Sequence, residues 1–151
     1  MPFSPWTKQK DLIDIIKLIE NYKLRETVDP IQLTIKLLIP KHSLIIQRSE
    51  ISEFINDYDK NSLSYVWDYR DKEVNELQIS LFNYLLENPD LDEHSQYLGM
   101  VEIIETMTRS NLILDPDYRF KNVPKLSETW FCCAEPSPIQ LNRIKTNNAL
   151  I

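Results

Sequence analysis

Gly99 is the only glycine in 151 residues, against an average usage of ~7%. A chain this poor in glycine is short of residues that enter left-handed backbone conformations without strain. An all-β fold with many tight hairpins is therefore disfavoured. Phosphate-cradling loops are disfavoured too, because several glycines are needed to bring the backbone close to an anion. Nine prolines punctuate the chain instead.

The length suits one domain with a sizeable core. Hydrophobic residues make up 42% and charged residues 26%, as in an ordinary globular protein. The net charge of -6 gives no electrostatic reason to bind nucleic acid or an anionic membrane surface. Met1-Pro2-Phe3-Ser4-Pro5-Trp6 has neither the basic stretch nor the apolar run of a signal peptide. No apolar run approaches the ~18 residues that span a bilayer. With two cysteines and no export signal, a cytoplasmic setting is expected.

Residues 2–6 read as an extended Pro-aromatic lead-in. Thr7 is placed to cap a helix to about Tyr22, with Leu12, Ile15, Ile16, Ile19 and Tyr22 on one buried stripe. After Asp29-Pro30, Ile31 to Ile39 reads as a strand. Ile31, Leu33, Ile35 and Leu37 alternate with Gln32, Thr34 and Lys36, and Pro40 ends the pattern. The strand expected before the helix is missing, so this strand is an orphan with unsatisfied backbone groups. Leu44 to Asp57 reads as one or two short helices, and Ser62 to Tyr69 as an extended or irregular piece around Tyr65 and Trp67. Asp71 caps a helix to about Glu87, with Val74, Leu77, Leu81, Phe82 and Leu85 inward. Asp92 starts another to about Arg109, with Met100, Val101, Ile104 and Met107 inward. Residues 110–128 read as a surface linker. Ser137-Pro138 opens a last helix carrying Ile139, Leu141 and Ile144.

Both cysteines, Cys132 and Cys133, are adjacent, just after Trp130-Phe131 and before Ala134-Glu135-Pro136. Adjacent cysteines cannot supply the spaced ligands of a zinc finger or an iron–sulfur cluster. They can form a strained disulfide, hold one soft ion, or divide attack and resolution. Equally, they can be two small buried residues beside an aromatic anchor. Glu135 is near enough in sequence to carry a proton or to raise a cysteine pKa by repulsion. His42 follows the expected strand, and His94 sits among Asp92, Glu93 and Ser95. Both read as surface residues, and two distant histidines without a clustered partner are weak evidence for a metal site. Asp57, Asp59, Asp90 and Asp92 read as loop acids without a calcium-loop pattern. Trp6, Trp67 and Trp130 read as core or interface anchors. No nucleophile elbow, P-loop, dinucleotide fingerprint or catalytic triad pattern occurs.

Thr129-Trp130-Phe131-Cys132-Cys133-Ala134-Glu135-Pro136 resembles the tail of the CUAEP/CCAEP-tail radical SAM proteins, in some of which the second cysteine is selenocysteine. The resemblance extends to Pro2-Phe3-Ser4-Pro5-Trp6-Thr7, to Val28-Asp29-Pro30-Ile31-Gln32-Leu33 and to Leu37-Leu38-Ile39-Pro40. It also takes in Leu63-Ser64-Tyr65-Val66-Trp67 and Val74-Asn75-Glu76-Leu77-Gln78, and so covers nearly the whole chain. Such enzymes hold a [4Fe–4S] cluster on Cys-x-x-x-Cys-x-x-Cys, which is absent here. The resemblance therefore implies a C-terminal part or split subunit, with Met1 falling within or just after a barrel strand of the full-length relative.

The implied fold class is α/β to mainly α. Residues 1–40 would be a remnant of a partial (β/α) barrel with one helix and one clear strand. Residues 41–110 would be a helical extension, and 111–151 a linker, the tail and a last helix. S-adenosylmethionine and the cluster would belong to the full-length protein, and the chain alone would bind neither cofactor nor metal. Cys132, Cys133 and Glu135 would lie near the parent's active site, and Lys36, opposite Leu37 on the strand, would face a barrel interior. An exposed apolar edge along Ile31–Ile39 would favour pairing with an N-terminal half or self-association. The alternatives are a helical interaction module and a stand-alone thiol-redox or soft-metal protein.

Overall fold

The computed structural model describes residues 1–116 and 118–119. Helix α1 (Gln9–Asn21) is followed by two 3-10 turns, Pro30–Thr34 and Leu44–Gln47. Then come a one-turn helix α2 (Ser49–Ser52), strands β1 (Ile55–Asp59) and β2 (Ser64–Trp67), and helices α3 (Lys72–Glu87) and α4 (Glu93–Thr108). The fold is thus mixed helix and strand.

The two long helices form where capping and periodicity predict them. The Asp71 carboxylate accepts a hydrogen bond from the Glu73 N–H at 3.0 Å. Asp92 accepts from the Ser95 N–H at 3.0 Å and the Ser95 hydroxyl at 2.7 Å. Each cap satisfies a donor that the first helical turn leaves open. Val74, Leu77 and Leu81 of α3 face Met100, Val101 and Ile104 of α4, and all six are buried. Leu12, Ile16 and Ile19 of α1 complete this core with Phe3, Leu33, Tyr97 and Leu112. A smaller cluster gathers Ile39, Ile51 and Trp67 under the hairpin. The Tyr69 side chain packs against both clusters.

The glycine deficit has a visible consequence. Lys23, Leu63 and Arg109 all take left-handed backbone angles, with φ between 51° and 54°. These are positions where glycine would be unstrained. Gly99 lies inside α4, where a Cβ would overlap the Tyr84 phenol of α3. The single glycine thus serves the close approach of two helices, and the strained turns use side-chain-bearing residues.

The strand expected over Ile31–Ile39 is not there as such. Pro30 at the first helical position and the Asp29 carboxylate, which accepts from the Ile31 N–H at 3.2 Å, start a 3-10 turn through Thr34. Fixed proline φ and a side-chain cap outweigh the two-residue apolar alternation. Only 35–39 is extended. No strand precedes the helix, as expected, but the segment is not wholly unpartnered, because Phe3 pairs with Lys36 as an isolated parallel bridge. The Phe3 N–H donates to the Ile35 carbonyl at 3.3 Å, and the Leu37 N–H donates to the Phe3 carbonyl at 2.8 Å. The exposed edge expected along this segment is absent as well. Leu33, Thr34 and Ile39 are buried, and Ile39 bonds to Ser64 and Tyr65 of β2.

Other local expectations are corrected. Thr7 does not cap α1; its hydroxyl donates to the Pro2 carbonyl and accepts from the Ser4 N–H. Lys8 holds the cap position, and its N–H bonds to the Asp11 carboxylate at 2.9 Å. Tyr22 is 72% exposed and lies off the buried stripe. The helices expected over Leu44 to Asp57 stop at Ser52. Ile55–Asp59 pairs antiparallel with Ser64–Trp67, with a bulge between Ile55 and Tyr58. Asp59 closes this hairpin by accepting from the Asn61 and Ser62 N–H groups. Leu112 is buried while Ile113 beside it is exposed, so the start of 110–128 is surface chain anchored in the core at one residue.

Candidate functional site

Cys132, Cys133 and Glu135, the expected last helix and Trp130 lie outside the described residues. Of the expected site residues, Lys36 alone can be placed. Its segment is held on one side by Phe3. Its ammonium lies 4.8 Å from the Trp67 ring centroid and 5.3 Å from that of Tyr69. Both distances are within reach of a cation–π attraction. His42 is exposed in the turn after Pro40, and His94 is half-buried at the start of α4.

Lys36 borders a cavity of about 420 Å³ between the helical layer and the hairpin, within the size range of small-molecule sites. One wall is the 31–38 segment. The facing wall is Ser64 to Trp67, and Gln78 and Phe82 of α3 close the end. The lining is mostly apolar or aromatic and its polar groups are fixed. The Trp67 indole N–H donates to the Leu37 carbonyl at 2.7 Å. The Gln78 amide donates to the Thr34 carbonyl at 3.1 Å. The Ser64 hydroxyl accepts from the Ile39 N–H at 2.9 Å. Behind Lys36, the Tyr69 hydroxyl is buried without a hydrogen-bond partner among the described residues, and burial raises its pKa well above the phenol's ordinary value.

No protein-family model, curated protein or solved structure matches this chain. Among the described residues no group of three or more His, Cys, Asp or Glu is arranged to hold a metal ion. No helix among them is long and apolar enough to cross a membrane.

A second polar cluster escaped sequence reasoning altogether. Arg25 and Glu20 form a buried ion pair, with side-chain exposures of 3% and 7%. The Arg25 Nε–H donates to Glu20 Oε1 at 2.8 Å, and the Tyr97 hydroxyl donates to the same oxygen at 2.8 Å. The guanidinium lies between two phenol rings, 5.7 Å from the Tyr97 centroid and 4.2 Å from that of Tyr118. Burial disfavours the Glu20 charge, but the hydrogen bonds from Arg25 and Tyr97 outweigh it and hold the carboxyl below its ordinary pKa. The Asp115 N–H also donates to Glu20, and the Tyr118 hydroxyl donates to Glu26. Burial and the Glu26 bond push the Tyr118 phenol up to about 12. The cluster ties the chain leaving α4 to the loop after α1. Its ion pair and side-chain hydrogen bonds run between its own members, so it reads as a clasp rather than a reactive centre. Tyr97 lies 77 residues from Glu20, and no local pattern announces such a contact.

Proposed function

We propose that the chain is the C-terminal part, or a split subunit, of a CUAEP/CCAEP-tail radical SAM protein. In this reading it brings a two-thiol tail to a cluster and S-adenosylmethionine held elsewhere. The single observation that carries the proposal is the Trp130-Phe131-Cys132-Cys133-Ala134-Glu135-Pro136 run, found together with Pro2-Phe3-Ser4-Pro5-Trp6-Thr7 in one chain. A structural observation supports it. Phe3 and Lys36 pair in parallel across α1, and parallel pairing through a helical crossover is the connection of a β/α unit.

The chain as given holds two adjacent cysteines, so the three spaced thiolates of the cluster come from another part of the assembly. Cys133, at the selenocysteine position of the resemblance, is the reactive chalcogen. Cys132 is its partner, and Glu135 accepts or returns the thiol proton. Activity in a reducing compartment such as the cytoplasm follows from this role.

The test is complementation. A radical SAM protein of this family truncated before its tail regains turnover when the chain is added, and Cys133→Ser in the chain abolishes the gain. Formation of a stable four-iron cluster by the chain alone on anaerobic treatment with iron and sulfide would refute the proposal. So would a Cys133→Ser chain that complements as well as the original.

A further inference from the structure

We propose that the cavity beside Gln78 binds an uncharged, planar aromatic molecule that carries one N–H or O–H donor. The inference does not depend on the family reading. Gln78 is 8% exposed and borders the cavity of about 420 Å³. Its amide N–H donates to the Thr34 carbonyl at 3.1 Å. That bond fixes the orientation of the amide, because a flipped side chain would set one carbonyl against another. Gln78 Oε1 is left with both lone pairs unused among the described residues. It is not one of the atoms sealed from solvent, so it opens onto the cavity that its residue lines. An acceptor in so buried a residue is costly to leave unmatched, and a ligand donor would satisfy it. The other well-buried polar side chains of the lining are already engaged. The Thr34 and Ser64 hydroxyls and the Trp67 indole N–H donate to the backbone carbonyls of Ile31, Tyr65 and Leu37. The charged lining residues, Lys36 and Asp59, have opposite signs, so the cavity carries no net fixed charge to favour an ion of either sign. Ile31, Ile35, Leu38, Tyr65, Val66 and Phe82 supply apolar and aromatic surface, against which a flat ring packs well. A neutral ring with one donor is the chemistry this lining complements.

The test is an NMR titration of the isotope-labelled whole chain with indole and with benzofuran, an isostere whose ring oxygen replaces the N–H. Indole binds, and benzofuran binds roughly tenfold more weakly, because the Gln78 carbonyl is then buried without a donor. Indole-3-acetate and tryptamine, which add a negative and a positive charge, bind no more tightly than indole. Saturating indole shifts the Gln78 side-chain amide and the Trp67 indole N–H, the latter assigned through Trp67→Phe, and leaves the Trp6 indole unmoved. Gln78→Met keeps the length of the side chain, removes the carbonyl and erases the difference between indole and benzofuran. If that variant does not fold, the matched pair and the Gln78 signal in the original chain decide. The proposal is overturned if benzofuran binds as tightly as indole, if a folded Gln78→Met chain preserves their difference, or if either charged analogue binds more tightly than indole. It is equally overturned if the Gln78 and Trp67 signals stay still or if indole does not bind at millimolar concentration.

Discussion

Glu20→Gln removes the charge opposite Arg25 and nearly nothing else. The amide keeps one oxygen, which in the Oε1 place still accepts from both Tyr97 and the Arg25 Nε–H, so shape and those hydrogen bonds survive. What is lost is the pairing of a guanidinium that is 3% exposed. Breaking a buried ion pair from one side costs about 3–5 kcal/mol. A value at or just below the bottom of that range applies here because Glu20 as a whole residue is half-buried and an acceptor remains. About 2–3 kcal/mol is therefore expected, a fall of roughly 4–12 °C in Tm for a domain of this size. Arg25→Met leaves the carboxylate with Tyr97 and the Asp115 N–H and costs about as much. The combined Glu20→Gln, Arg25→Met chain buries no charge at this site. It keeps an acceptor for the Tyr97 hydroxyl and gains back the desolvation of two ions.

The double variant should therefore lose far less than the sum of the singles, with a coupling of about 2 kcal/mol or more. Urea unfolding at neutral pH measures it from the midpoints, provided the slopes agree. Additivity within about 0.5 kcal/mol would refute the view that these charges act as one desolvated unit. The pH dependence has a fixed sign. The folded-state pKa of Glu20 lies below its ordinary value of 4.5, so its contribution is fully present above about pH 4.5. It is lost as pH falls through the depressed folded value. Glu20→Gln should thus flatten the acid limb of the stability profile and leave the neutral-to-alkaline limb parallel to that of the original chain.

Gly99→Ala should destabilise by about 1–3 kcal/mol, because overlap with the Tyr84 phenol outweighs the ~1 kcal/mol that alanine gains in a helix. In a Tyr84→Leu background the same change should stabilise, and thermal melts of the four chains decide it. Arg109→Gly should raise stability by about 0.5–1 kcal/mol, since Arg109 ends α4 in a left-handed conformation that costs an L-residue about 1–2 kcal/mol; an unchanged urea midpoint would count against backbone strain there. Asp92→Ala should cost about 1 kcal/mol through the α4 cap, with Ser95 the first amide to lose hydrogen-exchange protection.

The long helices were legible because their signals are local and agree with one another. Asp71 and Asp92 each sit one residue before a helix that carries an apolar stripe, and cap, stripe and helix coincide in the structure. The hairpin was half legible. Tyr65 and Trp67 mark β2, but Ile55-Asn56-Asp57-Tyr58-Asp59 carries asparagine and aspartate, which strands disfavour. Its stability comes from non-local contacts such as the edge-on Tyr58–Tyr65 pair, with ring centroids 5.1 Å apart.

The Ile31–Ile39 segment shows why a single periodicity misleads. Its first half obeys Asp29-Pro30, which set a 3-10 turn before any cross-strand partner is available. Its second half is extended, with Phe3 along one side and Ser64 and Tyr65 bonded at its end. Two-residue alternation would put Lys36 and Leu37 on opposite faces, yet both border the same groove, as a segment that leaves a tight turn and meets two different elements can allow. Lys36 was singled out by a strand argument that holds over only part of its range. Its place beside Trp67 and Tyr69 depends instead on two aromatic residues more than thirty positions away in sequence, and those can be matched to it only once the hairpin is folded.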